Sequence, residues 1–126
     1  LFEHSEEGDI AGLGVFKGRV KRFASPLQDA QGNKLKVPHM GWNQVHQERA
    51  HPIWQDITQD ARFYYVHSYY VVPDDEAIIT GTSEYPTRFT SAVARNNIFA
   101  VQFHPEKSQH AGLQLLKNFI HWDGNP

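Results

Sequence analysis

His104 and Glu106 are the residues whose types and spacing suit acid–base chemistry. They flank Pro105 after Val101-Gln102-Phe103, and residues 99–103 read as a buried strand that stops where proline removes a ladder donor. Proline disfavours helical dihedrals at the residue before it, so His104 stays extended and Glu106 can project to the same side. An imidazole that titrates near neutrality takes a proton from a nucleophile, while the carboxylate fixes its tautomer and stabilises the imidazolium. The pair has no nucleophile of its own. With Ser108 ahead of an apolar-periodic segment, the same residues also make an ordinary strand-to-helix junction, with an acidic residue at a positive helix N-terminus.

The elements that must position this pair follow from composition and periodicity. Residues 1–8 read as the last turns of a helix stopped by Gly8, a chain that starts in mid-helix and so implies residues upstream. Residues 12–23 lead through a loop into a half-buried strand ended by Ser25-Pro26, and residues 28–33 make a polar turn before a short strand from Lys34. Pro52-Ile53-Trp54 opens a short helix with proline in its first turn. Residues 62–72 give the strongest strand signal, interrupted by the polar pair His67-Ser68, which needs internal partners or a ligand. Residues 77–84 and 87–95 add two strands, and Asn96-Asn97 turns the second back into residues 98–103 as a hairpin. A final helix over residues 108–121 places Leu113, Leu115, Leu116, Phe119, Ile120 and Trp122 on one broad face, with Gln114, Lys117 and Asn118 largely opposite.

The bulk numbers bound the class. The chain has 126 residues, 40% of them hydrophobic and 21% charged, which is the composition of one small globular domain. A formal charge of -2 and the absence of a basic run argue against a nucleic-acid or membrane-surface partner. No stretch approaches a membrane span, and the reading is a soluble, cytoplasmic protein. Cysteine is absent, which excludes disulfides, thiolate metal sites and a thiol nucleophile from this chain. Eight histidines invite a search for zinc among His39, His46 and His51 with Glu48, or His4 with Glu7, but none matches a known ligand spacing. Pro38-His39-Met40-Gly41-Trp42-Asn43 sets a large aromatic and a thioether around a glycine, a composition that suits an interface as well as a core.

Val101 to Glu106 resembles the histidine–glutamate end of the class I (triad) glutamine amidotransferases. Pro38-His39-Met40-Gly41-Trp42-Asn43, followed by Val66-His67-Ser68-Tyr69, is similar to the branch that feeds ammonia to a synthase partner in histidine biosynthesis. The resemblance spans the chain and implies an α/β fold: a partial flavodoxin-like domain over residues 1–126 with a mixed sheet and a C-terminal helix. It implies glutamine hydrolysis with His104 as base and Glu106 as its orienting partner, and a glutamine site lined by His67, Ser68 and Tyr69. A heterodimer is implied, in which Pro38, His39, Met40, Gly41, Trp42, Asn43, Tyr64 and Lys107 face a (β/α)₈-barrel cyclase subunit. No cofactor or metal is implied. In the family the nucleophile is a cysteine upstream of a segment like Leu1-Phe2-Glu3, so the chain alone is expected to be inactive and its sheet to expose an edge and an apolar face. A docking module without chemistry, and a component of another triad amidotransferase, are the competing readings.

Overall fold

The computed structural model describes residues 1–24, 27–29 and 31–126. Among them the chain forms β1 (Phe2–Ser5), β2 (Ile10–Ala11), β3 (Phe16–Arg22), β4 (Leu27–Gln28), β5 (Lys34–Leu35), β6 (His39–Gln44), β7 (His46–Gln47), β8 (Arg62–His67), β9 (Tyr69–Pro73), β10 (Ile79–Glu84), β11 (Arg88–Arg95), β12 (Ile98–Val101) and the helix α1 (Gln109–His121). A mixed sheet runs β2-β1-β3-β9-β11-β10-β7, with β12 also paired to β11. Strands β1 and β3 are its parallel pair, and the other pairings are antiparallel. Two further ribbons, β4 with β5 and β6 with β8, stand apart from it. This mixed sheet with a C-terminal helix is the α/β arrangement that the resemblance implies.

Three local readings need correction. Residues 1–8 are not a helix end: Phe2 is drawn into register with Phe16, their ring centroids 5.6 Å apart, and the Glu6 amide bonds the Val20 carbonyl at 2.9 Å. Burial of Phe2 and strand pairing outweigh the modest helix propensity of a short polar segment. Residues 62–72 are not one strand, because the chain breaks at Ser68. Before the break β8 pairs with β6; after it β9 joins the main sheet beside β3. The Ser25-Pro26 stop expected for β3 lies outside the described residues.

The third correction concerns α1. Its buried residues are Gly112 and Leu115, flanked by half-buried Ala111 and Trp122. Asn118, expected on the polar side, faces inward and donates to the Ile53 and Gln55 carbonyls at 2.8 and 2.7 Å. Those carbonyls lie in and just after the Pro52–Trp54 turn, so pairing with these backbone acceptors turns Asn118 toward it. Leu113, Phe119 and Ile120 point outward with 63%, 54% and 76% of their surface exposed.

The main core lies between α1, the Pro52–Trp54 turn and β8, β11 and the Phe103 loop. Phe63 and Tyr65 are completely buried, and Phe63 packs on Phe103 with the rings tilted and their centroids 4.2 Å apart. Each such ring contributes about 1.5–3 kcal/mol by leaving water. Together they hold the far end of β12, and with it His104, against β8.

Candidate active site

His104 follows the hairpin β11–β12 and is anchored to β8 through its amide, which donates to the Tyr64 carbonyl at 2.9 Å. Pro105–Lys107 then forms a single 3-10 turn that brings Glu106 round beside it. His104 Nδ1 and Glu106 Oε1 are 2.8 Å apart, with 39% and 58% of the two side chains exposed. A carboxylate only accepts, so Nδ1 carries the proton and Nε2 keeps its lone pair. The Glu106 carboxyl is held below its ordinary range first by its own backbone amide and then by the His104 imidazole, with Lys107 adding a favourable charge. It therefore stays ionised at neutral pH and orients the ring as a base.

His67 ends β8 and is buried. Its Nδ1 meets the Tyr69 carbonyl at 2.8 Å and must donate, which leaves Nε2 to accept from His39 Nδ1 at 2.9 Å. The His67 ring is thereby neutral. Desolvation lowers the His39 pKa to about 4, with the neighbouring His67 adding to the effect, and desolvation likewise lowers that of His67. His39 stacks between the rings of Tyr65 and Tyr85, at 5.0 and 3.8 Å between centroids. Pro38, His67, Ser68, Tyr69 and Gln102 share one open depression of about 390 Å³. His104, two residues beyond Gln102, stands outside its lining.

The residues expected at a partner surface divide by strand alternation. Met40 and Trp42 project from β6 with 62% and 44% exposure, next to Tyr64 and Val66 of β8, and the Trp42 and Tyr64 rings meet edge to face at 5.8 Å. Lys107 is exposed on the turn after His104. His39, expected with them, is only 4% exposed: the strand alternation turns it inward to His67. Asn43 is half-buried, and its side-chain amide donates to the Glu84 carbonyl at 2.8 Å. Gly41 is half-buried between them.

Three of the other histidines have separate partners. His46 meets Asp60 at 3.0 Å, His4 meets Asp9 at 3.1 Å, and His51 accepts from the Ile53 amide at 3.1 Å. Among the described residues no three potential metal ligands converge. No described helix is long and apolar enough to cross a membrane.

The family model of class-I glutamine amidotransferases matches residues 12–122. The chain belongs to the class-I glutamine amidotransferases. Within that family it is 63% identical over 123 residues to the imidazole glycerol phosphate synthase subunit HisH of Nitrosospira multiformis, covering 97% of this chain and 58% of the relative. It is 61% identical over 125 residues to the subunit of the same name from Chromobacterium violaceum, covering 99% and 58%. The chain thus spans little more than half the length of these curated relatives. A solved structure from Thermoplasma acidophilum, named for one subunit of a GMP synthase, superposes with a TM-score of 0.61 at 18% identity, covering 82% of this chain and 47% of that one. At that identity the likeness concerns the fold.

Two features of the site were not legible in the sequence. The His39–His67 pair joins residues on different strands, and only their shared burial reveals it. Ser108 reads as a helix cap, yet it makes no side-chain capping bond. Its hydroxyl serves Tyr64 and His104 instead.

Proposed function

We propose that this chain carries the acid–base half of a glutaminase that supplies ammonia to imidazole glycerol phosphate synthase. The observation that carries the reading is the 2.8 Å bond between His104 Nδ1 and Glu106 Oε1, which leaves Nε2 of a half-exposed ring as a base. In this reading Nε2 takes the thiol proton of a cysteine borne by polypeptide outside residues 1–126, since the chain has none. The thiolate adds to the side-chain carbonyl of glutamine. The imidazolium then returns its proton to the amide nitrogen, ammonia leaves, and water activated by the same ring releases glutamate from the thioester. Glu106 keeps the tautomer fixed through both half-reactions.

His67, Ser68 and Tyr69 line an open depression and would hold the α-amino and carboxylate ends of glutamine through backbone groups. Residues 1–126 are one part of a single amidotransferase domain. The exposed Met40, Trp42 and Tyr64, with Pro38 and Lys107, are the face for a (β/α)₈-barrel cyclase subunit in a cytoplasmic heterodimer, and the ammonia goes there for histidine biosynthesis. Met40 and Trp42 are adaptable, large-area residues of the kind that dominate interfaces.

The deciding experiment supplies, as a separate chain, the part of the Nitrosospira relative that this chain does not cover, and assays glutamate and ammonia release. Hydrolysis that needs both chains is the expected result. A stable complex of the two that leaves glutamine intact, while still binding the barrel subunit, would establish a docking module instead.

A further inference from the structure

Tyr64 and His104 face each other as an isolated antiparallel bridge, but its two rungs are unlike. The His104 amide donates directly to the Tyr64 carbonyl at 2.9 Å. In an ordinary hydrogen-bonded pair the Tyr64 amide would return the bond to the His104 carbonyl. Here it donates to Ser108 Oγ at 2.9 Å, and that hydroxyl donates onward to the His104 carbonyl at 2.6 Å. One oxygen atom is inserted into the rung. The carbonyl side of His104 is therefore held one hydroxyl further from β8 than its amide side, at the point where the chain enters the Pro105–Lys107 turn.

The surroundings keep the hydroxyl there. Ser108 is 1% exposed, and its own carbonyl accepts the Gly112 amide at 3.2 Å. A Cβ on Gly112 would overlap the Pro105 carbonyl and stand 2.8 Å from Ser108 Cβ, so the helix approaches the loop closely only because that residue is glycine. Gln109, next in the chain, adopts a φ of 50°, the left-handed region that non-glycine residues avoid. An ordinary helix cap needs neither the close approach nor the strained dihedral.

We propose that Ser108 is a positioning residue: its hydroxyl, lodged between Tyr64 and His104, sets where the His104 imidazole stands and hence its bond to Glu106. The proposal deepens the reading of His104 as the base and rests on it for its catalytic meaning. Its geometry is testable without any catalysis.

The test compares the wild-type chain, Ser108→Ala and Leu115→Ala by NMR, following Tyr64 amide exchange and the carboxyl titration of Glu106. The groups that act on Glu106 are its own amide, His104 and Lys107. In Ser108→Ala the Tyr64 amide should exchange about fivefold faster or more, and the Glu106 midpoint should rise toward the ordinary carboxylate range as the imidazole moves away. Leu115→Ala loosens the same helix without touching the rung and should leave the midpoint at its wild-type value. An unchanged midpoint in Ser108→Ala, or equal shifts in both variants, overturns the proposal. Should Ser108→Ala not fold, the wild-type chain decides: a slowly exchanging Ser108 hydroxyl proton supports the inserted rung, and exchange at the rate of free serine overturns it. Because no glutamine is present, failure here leaves the glutaminase reading standing, and failure of the reconstitution assay leaves the rung standing.

Discussion

His39 Nδ1 donates to His67 Nε2 at 2.9 Å, and His67 Nδ1 donates in turn to the Tyr69 carbonyl at 2.8 Å, so two buried neutral imidazoles form a directed chain across the break between β8 and β9. The chain exists only while His67 stays neutral, because a protonated Nε2 cannot accept from His39. Desolvation, with His67 nearby, takes the His39 pKa from 6.5 to about 4, so the unfolded chain binds protons that the folded one refuses. Stability is whole above about pH 6.5 and falls as the pH drops toward about 4. The loss from His39 should reach on the order of 3 kcal/mol at the acid end. Urea unfolding midpoints between neutral pH and about pH 4 measure it. His39→Gln keeps a donor for His67 but does not titrate, and should flatten the slope. An unaltered slope in that variant would place the acid sensitivity elsewhere.

The His104–Glu106 bond carries the next expectation. In the reconstituted two-chain glutaminase, His104→Ala removes the group that moves the proton in both half-reactions, and glutamine turnover should fall by at least about 10²-fold. Glu106→Gln leaves a ring of uncertain tautomer, and the loss should be smaller. Ammonia supplied directly to the complex bypasses both defects, so synthesis from ammonia should persist. Turnover near wild type in His104→Ala would refute its role as the base.

Trp42 projects from β6 with 44% of its surface exposed and touches Tyr64 edge to face. Truncating a half-exposed ring on a two-stranded ribbon leaves the core of Phe63, Tyr65 and Phe103 untouched. Trp42→Ala should therefore weaken binding of the barrel subunit by about tenfold or more while moving Tm by only a few degrees. A large drop in Tm with unchanged affinity would make Trp42 a packing residue and remove the anchor of the proposed interface.

Much of this fold can be read from the chain because local and tertiary preferences agree. The β-branched and aromatic runs at residues 88–95 and 98–101 pair across Asn96-Asn97 as composition implies. Periodicity likewise locates α1. What periodicity does not carry is the choice among competing partners. Residues 62–72 look uniform, yet β8 and β9 part at Ser68 because each finds a different neighbour. Leu1 to Gly8 has no strong propensity, so pairing with β3 decides it. The site divides in the same way. His104 and Glu106 are two residues apart and their meeting follows from an extended residue before proline, whereas Ser108 reaches a strand 44 positions earlier.

The helix face supplies the last expectation. Leu115 is 5% exposed and packs among Ile53, Trp54 and Phe103, whereas Ile120 is 76% and Phe119 54% exposed. Hydrophobicity alone ranks the three alike, but stability depends on the water each one leaves on folding. Leu115→Ala should cost about 2–5 kcal/mol through the cavity it opens, and Ile120→Lys should cost within about 0.5 kcal/mol. The exposed side chains act on association instead. Leu113, Leu116, Phe119 and Ile120 leave a contiguous helix of 13 residues with apolar groups facing water, which invites contact between copies. Ile120→Lys should therefore raise the concentration at which the chain self-associates, as read by sedimentation velocity, with its unfolding midpoint unchanged. If Ile120→Lys unfolds the chain as readily as Leu115→Ala does, the outward orientation of that face is wrong.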